Sequence, residues 1–350
     1  MPVKWHGLSI NIPPFTLDGF VKIPNLTIWH QHFLEVHCDD LERNEINMPA
    51  TAHSKALFSV LTAGTLWSFG ALIIRYMVEP QNYRWHYLFF RGLTIAGILC
   101  LYLLAKDGGR FLNNFREIGI SGIVGAIGLV GAFTCFIWSI TLTTAANTLF
   151  LFATIPFLAA IMGIVILKEN IRPLTWVSMT VALVGITVMV IEGLEAGSVL
   201  GIIIGFASAC GFAMFSICLR CRKETPQFAI IALAGILCAI LTAGILLMHS
   251  DSVLMPIRNI LLSMVHGMLV GVGLILFSLG AKYFPAAELN LLSLVEVVGG
   301  VIWVYLPIFG INEVPSMLTV VGGCIVTCAI ILDSVGTGYK REVAKAVGNN

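Results

Sequence analysis

Four residues that could bind a ligand or transfer a proton lie inside long apolar stretches of this chain. Glu296 lies within AAELNLLSLVEVVGGVIWVY, Arg91 within YLFFRGLTIAG and His266 within SMVHGMLVGVG. A carboxylate at the middle of a membrane span costs roughly 2.5 to 3.5 kcal/mol on insertion scales, so it is retained where it faces water or a partner. Glu296 is therefore a candidate for binding a proton or a cationic substrate group. The alternative is a neutral, hydrogen-bonded residue that ties helices together.

The other three residues also have a functional and a structural interpretation each. Arg91 lies too deep for a loop charge, so it attracts an anionic group or extends back toward Arg84 and His86. His266 is either a proton relay or a packing residue. The fourth residue, Pro156 in LFATIPFLAAIMG, removes a helical hydrogen bond, and the kink would expose carbonyls to substrate or water. All of them are candidate substrate-binding residues.

Aromatic and small polar side chains on the same stretches are candidates for lining a cavity around these charges. Aromatic faces hold planar or apolar groups, while a few hydrogen bonds orient the ligand. The candidates of this kind are Trp67, Ser68, Phe133, Trp138, Asn147, Phe152, Phe206, Phe212, Trp303 and Tyr305.

Two clusters contain metal-ligand residue types without the arrangement of a metal site. The segment WHQHFLEVHCDD, residues 29–40, has irregular ligand spacing and no apolar framework to hold a closed shell. Cys218 and Cys221 form a C-x-x-C pair with neither a histidine nor a second pair beside it. We therefore expect no metal and no cofactor, and we expect most of the nine cysteines to be buried apolar residues.

The apolar stretches that carry these residues are predicted membrane spans. The chain of 350 residues is 58% hydrophobic and 11% charged, with a mean hydropathy of +0.93, which excludes a soluble globule. A helical crossing needs about 20 apolar residues, and these stretches lack the alternating polarity of barrel strands. The sequence predicts an all-α integral membrane protein with ten spans, at 56–78, 85–105, 118–138, 145–167, 174–191, 198–219, 228–248, 260–280, 286–308 and 315–333.

The ten spans divide into two copies of five. The stretch that opens at Ala145 reappears loosely at Ala286, and a glutamate closes the span in each copy, Glu169 or Glu313. Because five crossings separate the copies, they lie in opposite orientations, and inverted repeats are typical of transporters. The predicted domains are an N-terminal tail at 1–55, a first repeat at 56–191, a second repeat at 198–333 and a C-terminal tail at 334–350.

Positive charges collect at one end of the spans. This asymmetry places both termini in the cytoplasm by the positive-inside rule. The cations at that end are Lys55, Lys106, Arg110, Arg116, Lys168, Arg172, Arg220, Arg222, Lys223, Lys282, Lys340, Arg341 and Lys345. The opposite end has Arg75, Arg84 and Arg258. Residues 1–50 lack the pattern of a signal peptide, and we expect 1–47 to be a disordered tail or an extension upstream of a start at Met48.

The chain resembles the drug/metabolite transporter superfamily, specifically its ten-span EamA-type carriers, over residues 56–335. The resemblance rests on TLWSFGALIIR, YLFFRGLTIAG, FIWSITLTTAAN, LFATIPFLAAIMGIVILKE and NEVPSMLTVVGGCIV, in this order. FSLGAKYFPAAE repeats FIWSITLTTAAN at a constant offset. Members often have a Glu-Pro pair midway along the ninth span. Here Val297 follows Glu296, so we expect a weaker helix break in the second repeat.

The resemblance implies a secondary transporter in the plasma (bacterial inner) membrane that works by alternating access. Its substrate would be a small organic metabolite: an amino acid, a nucleoside-like compound, a vitamin or a cofactor. Glu296 is the candidate proton-coupling residue, and an uncoupled exchanger is the alternative. An intramembrane lipid-modifying enzyme would need the acidic clusters or paired histidines that residues 56–335 lack. Expected partners are a small-molecule substrate and the lipid bilayer, with no nucleic acid and with a monomer or homodimer as the assembly.

Two sets of charges at the cytoplasmic loops are predicted to pair with their sequence neighbours. Glu288, at the mouth of the ninth span, is expected to pair with Lys282 and to act in gating or structure. Glu169 is expected to form an ion-pair cluster with Lys168 and Arg172.

Overall fold

A computed structural model of the chain describes residues 50–143, 145–191, 198–221, 227–249, 252–309 and 316–348. The predicted tail at 1–47, the segment at 29–40 and Glu313 lie outside the described residues. The helices that form the spans are Ala50–Arg75, Arg84–Asp107, Gly119–Leu142, Ala145–Phe152 with Ile155–Met162, Pro173–Val190, Val199–Cys221, Gln227–Met248, Ile257–Gly280, Ala286–Ser293 with Val295–Tyr305, and Met317–Gly348.

The predicted all-α, multi-span fold is confirmed. Within the described ranges, nine helices are long and apolar enough to cross a membrane, and a shorter apolar helix, Pro173–Met189, occupies the place of the fifth predicted span. The helix Pro173–Val190 has 18 residues, which rise about 27 Å at 1.5 Å per residue. That length approaches the hydrocarbon thickness of a bilayer, so the fifth helix can serve as a span.

The fourth and ninth spans are both broken near their middle. The N–H of Ala153 donates to the Phe150 carbonyl at 3.1 Å, and the N–H of Leu294 donates to the Leu291 carbonyl at 3.1 Å. Bonds to the third preceding residue mark a tightened turn. The interruption covers two residues in the fourth span, Ala153 and Thr154, and one in the ninth, Leu294. The ninth span therefore has a break without a proline, and that break is the shorter of the two.

Hydroxyl groups bond to carbonyls at both breaks. Thr154 donates its hydroxyl to the Leu151 carbonyl at 2.5 Å, and Ser293 donates to the Asn290 carbonyl at 2.8 Å. Backbone groups at membrane depth need such partners because lipid offers none. Pro156, predicted to kink the fourth span, lies in the first turn of the half-helix after the break, where the missing N–H costs little.

The principal helix contacts repeat when the first five spans are exchanged with the last five. The third span packs on the sixth, and the first packs correspondingly on the eighth. The second packs on the eighth as the seventh packs on the third, and the first contacts the ninth as the sixth contacts the fourth. The second and seventh spans pair with each other, as do the fifth and tenth. This pattern is that of a pseudo-two-fold axis.

Glycines let the paired backbones approach closely. A Cβ on Gly211 of the sixth span would lie 2.6 Å from the carbonyl oxygen of Gly128 in the third. A Cβ on Gly235 of the seventh span would lie 2.7 Å from the amide nitrogen of Ala96 in the second. Small residues serve this purpose where lipid provides no hydrophobic drive for association.

Candidate functional site

A cavity of about 680 Å³ lies between the two halves of the helix bundle. It extends from the middle of the bundle to the loop after the first span and to the start of the tenth, where Arg75, Pro80 and Ser316 line it. We call this side the open face. Deeper lining residues are Trp67, Ser68, Arg91, Phe133, Phe136, Phe152, Ser208, Phe212, His266, Leu274, Asn290, Ser293, Glu296 and Val297.

Arg91 is a buried cation on the wall of this cavity. Its side chain is only 3% exposed, and its guanidinium lies 4.3 Å from the ring centroid of Phe133 and 5.8 Å from that of Tyr87. The arrangement is a cation–π contact, in which the ring face attracts the positive charge. Among the described residues, no carboxylate lies within ion-pair distance of Arg91. The sequence-based alternative of an extended side chain near the membrane surface does not fit this burial.

Glu296 lies on the ninth span, two residues after the break at Leu294. It lines the cavity, together with Arg91. Within the described part of the chain, no side chain forms an ion pair or hydrogen bond with this carboxylate. The cavity therefore contains two opposite charges that are not joined directly.

His266 connects the second and eighth spans beside these charges. Its Nδ1 is hydrogen-bonded to the hydroxyl of Tyr87, and the ring packs against Gly70 of the first span, where a Cβ would lie 2.8 Å from Nε2. The histidine is 4% exposed and lines the cavity. The ring thus makes packing contacts at this position, and the proton-relay role of His266 stays a prediction.

Aromatic rings form the floor of the cavity. The Trp67 indole donates to the Val270 carbonyl at 3.4 Å and lies edge-on to Phe212, with ring centroids 5.6 Å apart. Phe277 and Phe215, both fully buried, continue this cluster away from the open face. The floor is therefore apolar, and the edge-to-face contact between Trp67 and Phe212 is a geometry that aromatic pairs favour.

Most, but not all, of the predicted site residues reach the cavity. Those that line it are Trp67, Ser68, Arg91, Phe133, Phe152, Phe212, His266 and Glu296. Trp303 contacts it indirectly, because its indole donates to the Ser68 hydroxyl at 2.6 Å. Tyr305 is 48% exposed and Phe206 is 44% exposed, and neither lines the cavity.

Trp138 and Pro156 also lie away from the cavity. Trp138 packs on Trp85, with ring centroids 5.2 Å apart, and on the guanidinium of Arg84 at 4.9 Å. Pro156 is buried in the half-helix after the break. The side chain of Asn147 lies outside the described part of the structure.

Asn290 is the main cavity residue that the sequence analysis missed. It is fully buried on the ninth span, accepts a hydrogen bond from the Ser216 hydroxyl at 3.2 Å and donates to the Ala286 carbonyl at 2.7 Å. An amide inside an apolar span is the signal that could have identified it. Ser208 and Ser293 were missed as well, because single serines are frequent in spans.

The opposite end of the bundle, which we call the closed face, contains buried ion pairs between the halves. Glu169, after the fourth span, pairs with Arg220 at the end of the sixth, and their side chains are 6% and 3% exposed. Arg220 donates to the Ala281 carbonyl at 2.8 Å and also to that of Phe284. Glu169 accepts the N–H of Ala286 at 3.1 Å. The pair thus provides hydrogen-bond partners for backbone carbonyls after the eighth span and for a backbone N–H at the start of the ninth.

A second group of charges joins the fifth, ninth and tenth spans at the closed face. Arg172 lies 2.7 Å from Glu288 and 3.6 Å from Asp333, whose side chains are 2% and 0% exposed. Asp333 also accepts the hydroxyl of Thr175 at 2.9 Å. The halves of the chain are therefore linked by charge at this face.

These contacts correct both predicted loop pairings. Glu288 pairs with Arg172 rather than with Lys282, which is exposed. Glu169 pairs with Arg220 rather than with Lys168, because Lys168 ends the fourth span in a left-handed conformation, with φ 55°, and is exposed. Packing of distant spans brings these charges together, which local spacing does not reveal.

Comparisons with known proteins agree with this architecture. Residues 54–191 match the family model described as the EamA-like transporter family. One of 29 matching chains in solved structures, described as "Crystal structure of protein", is 20% identical with a TM-score of 0.68, over 81% of this chain and 99% of that one. That likeness concerns the fold alone, and a search of curated proteins found no match. The likeness to the EamA-like transporter family, which is part of the drug/metabolite transporter superfamily, thus covers residues 54–191, within the first five spans.

Proposed function

We propose that the chain is a secondary transporter that moves a small organic metabolite across the plasma membrane by alternating access. Two inverted repeats, 56–191 and 198–333, would rock against each other around the central cavity. The observation that carries the proposal is the asymmetry of this cavity. It reaches the open face, whereas buried ion pairs between the halves close the other face.

This asymmetry fits one end state of an alternating-access cycle. With both termini in the cytoplasm, as the charge distribution predicts, the open face is the external one. Opening the closed face would require Arg172 to separate from Glu288 and Glu169 to separate from Arg220. The broken fourth and ninth spans supply the joints for such a movement, because a break lets each half-helix move separately.

Proton coupling through Glu296 is the version of the cycle that the site favours. The carboxylate faces the cavity and lacks an ion-pair partner among the described side chains. A carboxylate that holds substrate in one half of the cycle and a proton in the other links the two movements. Proton movement would then supply energy for substrate movement.

Counterflow in proteoliposomes tests the function. Vesicles with purified protein are preloaded with unlabelled amino acids, nucleosides or vitamins, and entry of the labelled compound is followed. We expect transient accumulation for one class, and we expect a pH gradient of one polarity to stimulate it. The absence of counterflow for every class refutes transport of these metabolites.

The coupling residue is tested in the same vesicles. With substrate well above half-saturation, Glu296→Gln should retain counterflow and lose the response to the pH gradient. The matched control is Glu117→Gln, which removes an exposed carboxylate outside the cavity. An unchanged gradient response in Glu296→Gln supports the uncoupled exchanger instead.

A further inference from the structure

Two opposite charges and an apolar floor share one cavity, and we infer that the substrate is a zwitterion that carries a carboxylate and an ammonium group on an apolar body. Arg91 receives the carboxylate, and Glu296 receives the ammonium group. This inference rests on the proposed function, because it assigns the ligand groups of the transport cavity.

The anion subsite follows from the surroundings of Arg91. Burying a cation without a counter-ion is expensive, so the group needs an anion or strong acceptors. Arg91 is 3% exposed, and its guanidinium lies 4.3 Å from the ring centroid of Phe133. No carboxylate within the described ranges pairs with it. The fork of N–H donors matches a carboxylate in two parallel hydrogen bonds.

The cation subsite follows from Glu296 in the same way. Its carboxylate lines the cavity, as Arg91 does, but the described structure contains no ion pair between them. The two charges are therefore farther apart than a direct bond requires. An ammonium group supplies three donors for a carboxylate that has only acceptors.

The aromatic floor of the cavity indicates that the rest of the ligand is apolar. Trp67 and Phe212 meet edge to face, with ring centroids 5.6 Å apart, and Leu274 also lines the cavity. A cavity of about 680 Å³ has room for a ligand with a substantial apolar group. A purely anionic ligand would leave Glu296 unpaired, and a purely cationic one would leave Arg91 unpaired. A zwitterion satisfies both charges.

Three probes with the same apolar body separate these cases. L-phenylalanine is the zwitterion, its N-acetyl derivative has only the carboxylate, and its methyl ester has only the ammonium group. Binding is measured as a thermal shift of the purified protein in detergent. Because a hydrogen bond to a charged group contributes more than a neutral one, we expect phenylalanine to bind about 10-fold to 100-fold more tightly than either derivative.

Two variants assign the charges to their subsites. Arg91→Gln should bind phenylalanine and its methyl ester equally, since neither gains from the carboxylate subsite. Glu296→Gln should bind phenylalanine and its N-acetyl derivative equally. The matched controls Arg116→Gln and Glu117→Gln, at exposed positions, should retain the preference of the natural protein.

Several outcomes overturn the inference. One is equal binding of all three probes to the natural protein, a result that needs no variant and does not depend on how variants fold. A second is equal weakening of all three probes in both variants, and a third is no binding of phenylalanine. Binding in detergent is separate from transport, so the expected preferences without counterflow would refute the proposed function and leave the zwitterion site intact.

Discussion

Removing the carboxylate of Glu288 should open the closed face of the cavity. Glu288 is 2% exposed and lies 2.7 Å from Arg172, and breaking a buried ion pair from one side costs about 3 to 5 kcal/mol. Arg172 is 19% exposed and retains Asp333 at 3.6 Å, so we expect a smaller loss, about 2 kcal/mol, on substitution by glutamine. If the pair exists only while this face is closed, that loss shifts the equilibrium toward the opposite state about 30-fold.

Thiol accessibility measures this shift. Ser293 lines the cavity and is 8% exposed, so Ser293→Cys places a thiol there. A membrane-impermeant maleimide is applied separately to each face of oriented membrane vesicles, with the protein lacking Ser293→Cys as the background. Labelling from the closed face should increase when Glu288→Gln is added. Glu117→Gln, at an exposed position, should leave both rates unchanged.

One combination of results would refute the reasoning. If Glu288→Gln lowers the unfolding temperature but leaves labelling unchanged from both faces, the pair with Arg172 persists in both states. The pair would then be a structural contact rather than part of a gate.

Other substitutions should separate binding from packing. Phe212→Ala should weaken substrate binding about 10-fold through lost aromatic contact, whereas Phe206→Ala, at a 44% exposed position, should leave it unchanged in the same binding assay. Gly211→Leu should prevent stable folding, because a Cβ there already lies 2.6 Å from the Gly128 carbonyl oxygen, and size-exclusion chromatography would detect the aggregation. Arg220→Gln leaves Glu169 buried without its counter-ion and should lower the free energy of unfolding by about 3 to 5 kcal/mol, measured by thermal denaturation against exposed Arg116→Gln.

Hydropathy was sufficient to predict the helices but not the direction in which each side chain points. In a soluble helix, an apolar stripe identifies the buried face. Here lipid and protein interior are both apolar, so Phe206 and Phe212 of the same span look alike in sequence. The structure places Phe212 on the cavity and Phe206 on the exposed surface. Glu296 and Arg91 could be predicted as site residues because a charged side chain inside a membrane span costs free energy and is retained where it faces water or a partner.

The ion pairs and the break in the ninth span could not be predicted from the sequence, for physical reasons. Arg220 meets Glu169 only because the sixth span ends beside the loop after the fourth. Beside the break at Leu294, the Ser293 hydroxyl bonds to a backbone carbonyl, and a serine looks the same in the sequence whether or not it does so. Proline marked only the break in the fourth span.

Distances between spin labels test the alternating-access account most directly. One pair of labels at the open face would replace Gln81 and Met317, and one pair at the closed face would replace Lys168 and Lys282, all exposed residues. On addition of a transported substrate, the account predicts that the distance at the open face shortens while the distance at the closed face lengthens. Distances that stay constant at both faces, or that lengthen together, would contradict it.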